Sequence, residues 1–343
     1  MKNPVAYLVF LVASLLASWG QAQTIRRCNN VGVTGAGIFT TLQAAHDAAA
    51  AGDIVYLEPS GISYGDLNCV KPLIIIGNGY FHGEQATPLT ADPRSSIVGI
   101  ISLVAGSQGS RVTGLTINSR VMINANNCTV ERNFIGGNGC NIGRDDFQTS
   151  ANATITSAVI RQNFINGEVT FRAGGSTTIS GALISNNIII GNIGGGNSTN
   201  VNSVLIANNV IGTRAGDNGG GIDVDNCILK NNIVTRSAAT FLLRSNATSN
   251  NLGTGTQFGT VNGNQQNVAL GTIFTGAGSD GQFQITVGGP ANNTGESGVD
   301  CGAFGATTPY IIAGIPNVPT IFQYSQSVSG ATLNATISTR SNR

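Results

Sequence analysis

Two short stretches hold the side chains best suited to chemistry. "GRDDF" carries Arg144, Asp145 and Asp146, and "RAGDNGGGIDVDNC" carries Arg214, Asp217, Asp223 and Asp225. Two carboxylates about 6.5–9.5 Å apart, one of raised pKa, hydrolyse a glycoside with inversion. Clustered carboxylates also suit calcium, which takes roughly six to eight oxygen ligands. Asp223 and Asp225 share one side of any strand that contains them, so they form the candidate calcium pair. Arg172 ("FRAGG"), Arg214 ("TRAGD") and Arg236 ("TRSAA") recur in similar wording. Stacked, they would make a basic stripe facing those carboxylates and a candidate ligand-binding surface. Each cluster has a plainer reading: an exposed Asp pair in a turn, and surface ion pairs of little individual worth. No set is assignable as a catalytic centre from spacing alone.

The elements that would position these residues are written in a repeat. Asn133, Asn163, Asn187, Asn209 and Asn232 each stand before two apolar residues, and Asn251 precedes Leu252 and Gly253. A period in the low twenties, with short β-branched runs between Gly and Asn, indicates a solenoid. Three residues before the Asn stand Val130, Ile160, Ile184, Ile206 and Leu229; five before stand Cys128, Ala158, Ala182, Val204 and Cys227. Both columns are expected to point inward. The Asn falls at a corner, and coils about 4.8 Å apart would let each amide bond its neighbours. That makes it a structural ladder rather than a set of catalytic amides.

The opening "FTTLQAAHDAAAAGDIVYLEPSGISYGDLNCVKPLIIIGNGYF" strengthens the picture. Thr40 and Gln43 have capping-box spacing, and Leu42, Ala45 and Ala49 give a small apolar helix face. A helix over 41–51, ended by Gly52, would cover one end of the solenoid, with His46 packed against the first coil. Phe39, Gln43, Gly52, Asp53, Pro59 and Ile74 to Gly77 resemble the opening of right-handed parallel β-helix proteins of the pectin-lyase-like superfamily. The resemblance runs roughly from Ile38 to Gly302. It implies an all-β fold, a single-stranded solenoid with coils of about 19–30 residues behind a short capping helix. It also implies a groove along one face, where relatives act on or bind polysaccharide. Lyases of that kind use calcium held by acidic residues and an Arg or Lys base. Asp145–Asp146 is similar to one fragment of the polygalacturonase pattern, but N-T-D, a coil His-Gly and R-x-K are missing. No Trp or Tyr lies between Glu84 and Gly302, which disfavours a stacking surface for sugar rings.

The rest bounds compartment and partners. Residues 1–22 read as a cleaved signal peptide: Lys2, the run "VAYLVFLVASLLA", then Gly20-Gln21-Ala22. That run is too short to span a bilayer, and no transmembrane segment is expected in the mature chain. Of 17 basic residues, losing Lys2 leaves 16 against 16 acidic. A neutral chain with two lysines left has no broad field for nucleic acid. Expected partners are polysaccharide or envelope components. With 41% hydrophobic and 10% charged residues the chain is not of disordered type. Residues 23–302 are expected as the β-helix, and 303–343 as a C-terminal cap and β-rich tail. Tyr310 to Thr320 would close the last coil, followed by a strand pair or an attachment tail. Cys69, Cys128 and Cys227 read as packing residues; Cys28, Cys140 and Cys301 follow no pattern.

Three functions fit: a secreted or cell-surface protein that is structural, adhesive or envelope-associated without catalysis; a polysaccharide lyase or glycoside hydrolase; and a glycan-binding module without turnover.

Overall fold

The computed structural model describes residues 23–85, 87–143, 154–172, 177–195, 200–212, 221–237, 242–244 and 246–342. Within them the chain is predominantly parallel β-sheet, in five sheets, with one short α-helix near the N-terminal end. Three sheets are large, of eleven, eight and eight strands, and the chain visits them in rotation. One circuit shows the rule. Thr129–Glu131 belongs to the first sheet, Phe134–Ile135 to the second and Cys140–Ile142 to the third. Thr154–Thr156 then joins a small fourth sheet before Val159–Arg161 returns to the first. Each strand pairs in parallel and in register with its counterpart one circuit on: Val130 with Ile160, Ile135 with Ile165, Ile142 with Phe171.

Strands of two to four residues bury little singly, so the stacking supplies the core. Val130, Ile160, Ile184, Ile206 and Leu229 lie one over another and are fully buried, as are Ile165, Ile189, Ile211 and Val234 of the second sheet. The column five before the Asn is inward and buried as expected. All six cysteines are buried and unpaired. Those without a sequence pattern pack as well. Cys28 is opposite Leu57, Cys140 lies between Val121 and Val169, and Cys301 sits in a second apolar cluster. Burial pushes the Cys28 and Cys227 thiols up to about 12 and those of Cys128 and Cys301 to about 11. They behave as small hydrophobes rather than nucleophiles.

At each corner the expected ladder is present. The Nδ2 of Asn133 donates to Oδ1 of Asn163 at 3.1 Å, and the relay continues through Asn187, Asn209, Asn232 and Asn251. It ends on Asn264, a rung the repeat did not announce. From Asn163 onward every Oδ1 also accepts the backbone N–H of the preceding Asn, for example Asn163 N to Asn187 Oδ1 at 3.0 Å. In an otherwise apolar corner this satisfies groups that would cost about 1–3 kcal/mol each if left unpaired.

The helix, α1 (Leu42–Ala48), packs Leu42 and Ala45 into the core end. Its cap is Thr41, whose Oγ1 accepts from Ala44 N at 3.2 Å, not Thr40. Gln43 instead reaches across to the strand below, where its Oε1 accepts Asn68 N at 2.9 Å. His46 is buried and accepts Val70 N on Nε2 at 3.1 Å, a packing role.

Two expectations fail on geometry. The phenylalanines of the repeat, Phe134 and Phe164, are expected from the sequence to fill inward columns, but the residue after each ladder Asn (Phe134, Phe164, Ile188, Val210, Ile233, Leu252) does not. It faces away from the main core and forms a second cluster. A two-residue strand alternates faces, and the inward place is taken by Ile135 and its counterparts. Covering that outward column is the chain after Gly253, which runs back along the stack. Tyr310–Thr320 therefore does not close the last circuit. It lies on early ones, with Tyr310 Oη 2.6 Å from Tyr80 Oη and Ala313 O accepting Tyr80 N at 2.8 Å.

The chain then ends in an antiparallel strand pair, Thr320–Ser329 with Thr332–Arg340. Among the described residues no helix is long and apolar enough to cross a membrane.

Candidate functional site

Among the described residues the sequence candidates are not gathered into one place. Arg144, Asp145, Asp146, Arg214 and Asp217 lie outside the described residues. Asp223 and Asp225 do share one face of a third-sheet strand, Ile222–Asp225, whose other residues, Ile222 and Val224, are buried on the opposite face. Arg172 follows the third-sheet strand Val169–Phe171, whereas Arg236 follows the second-sheet strand Ile233–Val234. They occupy different corners, so no single stripe contains both. No group of three or more His, Cys, Asp or Glu residues suited to a metal occurs among the described residues.

Tertiary structure assembles other polar clusters. On the outer face of the first sheet, Glu131 is buried between two arginines. Arg111 Nε donates to Oε1 and Arg161 Nε to Oε2, each at 2.6 Å. Arg161 is directly opposite Glu131 in register and Arg111 is on the diagonal. Burial pushes the Glu131 carboxyl up, but the Arg111 and Arg161 charges outweigh it and hold it below its usual range. It is an ionised counter-ion, the reverse of what a general acid needs.

Asp280 is the opposite case. It is fully buried beneath the return segment, and Oδ2 accepts Tyr310 Oη at 3.0 Å and Ala313 N at 2.6 Å. Oδ1 has no hydrogen-bond partner. Burial raises its pKa above the usual carboxylate value, and the bonds from Ala313 and Tyr310 only partly offset that. The hydrogen-bonded trio Asp280–Tyr310–Tyr80 ties the return segment to an early circuit.

An open site lies at the root of the terminal strand pair. Ala91 N donates to Ile321 O at 2.8 Å and divides two adjoining hollows of about 520 and 460 Å³. The larger one presents Tyr56 and Tyr324 beside Asn78, Thr90 and Asp92. Arg94 grips Asp92 in a fork, Nε to Oδ1 at 3.0 Å and Nη2 to Oδ2 at 2.6 Å, and this neutralises the wall. His82 lines the smaller hollow; it is 6% exposed and neither ring nitrogen has a partner. Burial holds its pKa below the usual value, so it is a neutral imidazole. The pattern of tyrosines flanking neutral hydrogen-bonding groups suits a hydroxyl-rich ligand better than an ion. Sequence reading missed it because its parts come from Tyr56, residues 78–93 and residues 319–324.

No protein-family model matches the chain, and comparisons with curated proteins and with solved structures return no match.

Proposed function

We propose that the chain is an exported right-handed parallel β-helix, similar to the pectin-lyase-like proteins, working without turnover as a surface spacer or adhesive element. The observation that carries this reading is the amide relay from Asn133 to Asn264, together with a return segment bonded to one circuit after another. Such a stack resists local opening, because each rung holds acceptors for the next. Export rests on the N-terminal signal pattern. The test is incubation of the purified protein with uronate and neutral polysaccharides, with and without calcium. Neither new reducing ends nor the ultraviolet absorbance of an unsaturated uronate is expected. Turnover abolished by Asp223→Asn or Asp225→Asn would overturn the proposal in favour of a lyase or hydrolase.

A second reading, glycan binding without turnover, is favoured by the Tyr56–Tyr324 hollow. It supplies the aromatic faces that the stretch from Glu84 to Gly302 lacks. Retention on one neutral polysaccharide, lost on Tyr56→Ala, would support it.

A further inference from the structure

The terminal strand pair is built with two unlike faces. Cross-strand partners Tyr324–Ile337, Gln326–Ala335 and Val328–Leu333 share one face, and Gln323, Ser325, Ser327, Asn334, Thr336 and Ser338 share the other. On the first, Tyr324, Val328, Leu333 and Ile337 are 52%, 74%, 63% and 58% exposed. The second is all hydroxyl and amide. No charged residue occurs from Thr320 to Thr339, and beyond the bulge at Ile321/Gln323 the pair has no irregularity. Charge, proline and bulges are the means by which natural proteins protect a free ribbon. A lone two-stranded ribbon is also marginal in water unless its apolar face is covered.

We propose that this face docks on the same face of a second copy of the chain, giving a two-fold dimer through the terminal ribbon. This is independent of the spacer reading above, and it shares Tyr324 with the hollow of the second reading. Neutral ribbons meet without electrostatic cost, whereas a charged partner gains nothing from this surface. Set antiparallel across a two-fold axis, the bulky Tyr324–Ile337 pair of one copy meets the smaller Val328–Leu333 pair of the other. The central polar group is already partnered, since Tyr324 Oη donates to Gln326 Oε1 at 2.6 Å. The four apolar side chains leave on the order of 400 Å² uncovered. Two facing ribbons would bury on the order of 1,000 Å² in all, near the lower edge of specific interfaces.

Sedimentation velocity of the purified protein from about 1 to 100 µM tests it. The expected result is a concentration-dependent dimer. Val328→Asp and Leu333→Asp should each weaken it at least about a hundredfold, by burying an unpaired carboxylate. Ser327→Asp, on the polar face, should leave it unchanged. Circular dichroism and melting of all three should match the parent, because the ribbon lies outside both apolar cores. A monomer throughout, a dimer insensitive to Val328→Asp and Leu333→Asp, or one equally broken by Ser327→Asp would each overturn the proposal.

Discussion

Asn187 accepts from both the backbone and the side chain of Asn163, and its own Nδ2 donates to Ile160 O, Ser185 O and Asn209 Oδ1. Asn187→Ala removes all of these at once in a dry corner. We expect a loss of roughly 3 kcal/mol or more, read as a lower thermal midpoint. Asn138→Ala, at an exposed amide, should change stability by less than about 0.5 kcal/mol. Asp280 carries a different dependence. Its folded pKa is raised, so its stabilising contribution is complete below the ordinary carboxylate value and is lost as pH rises through the raised one. The loss is about 1.4 kcal/mol for each unit of elevation. Melting followed as pH rises from below the ordinary carboxylate value should show this loss in the parent and less of it in Asp280→Asn; parallel curves throughout would refute the assignment. The Asn column was legible in the sequence because it repeats. Asp280 and Glu131 were not, since each occurs once and takes its meaning from residues brought to it by folding.

At the scale of elements, the residue before each ladder Asn does a second task. Arg132, Gln162, Asn186, Asn208, Asn231 and Asn250 all have left-handed backbone, φ 53–57°. That turn aims their side chains out at the return segment. Asn186 Nδ2 donates to Gly305 O at 2.8 Å, Asn208 Nδ2 to Asp300 O at 3.0 Å and Arg132 Nη1 to Ile315 O at 3.1 Å. The double change Asn186→Ala and Asn208→Ala should loosen this strap and leave the stacked strands in place. Limited proteolysis should then cut within residues 298–308 at least about tenfold faster, and binding of an apolar dye should rise as Val210 and Ile233, which lie against Gly302, are uncovered. Unchanged cleavage would show that the apolar contacts alone hold the strap. Strand positions and α1 were readable from apolar alternation and helix spacing. An earlier rung was hidden because Leu115 stands where later circuits have Asn; its N–H still donates to Asn133 Oδ1 at 3.0 Å. Gly114 holds the left-handed place there, with φ +74°, where an added Cβ would meet Pro316 at 3.1 Å.

At the scale of the molecule, sequence alone determined the period, the inward columns, the ladder and the short helix, and left the end of the chain open between a strand pair and an attachment tail. Each of these depends on residues adjacent in the chain or one circuit apart, and a repeat makes such neighbours visible. Only the tertiary structure decided the course of the chain after Gly253. Tyr80 and Tyr310 meet across 230 positions, and no periodic signal can encode a contact made once. The same cause hid the hollow between Tyr56 and Tyr324. It also hid that Phe134 and Phe164 serve a second core rather than the first. Alternation tells which residues share a face, but which side is dry depends on what the rest of the chain lays over it.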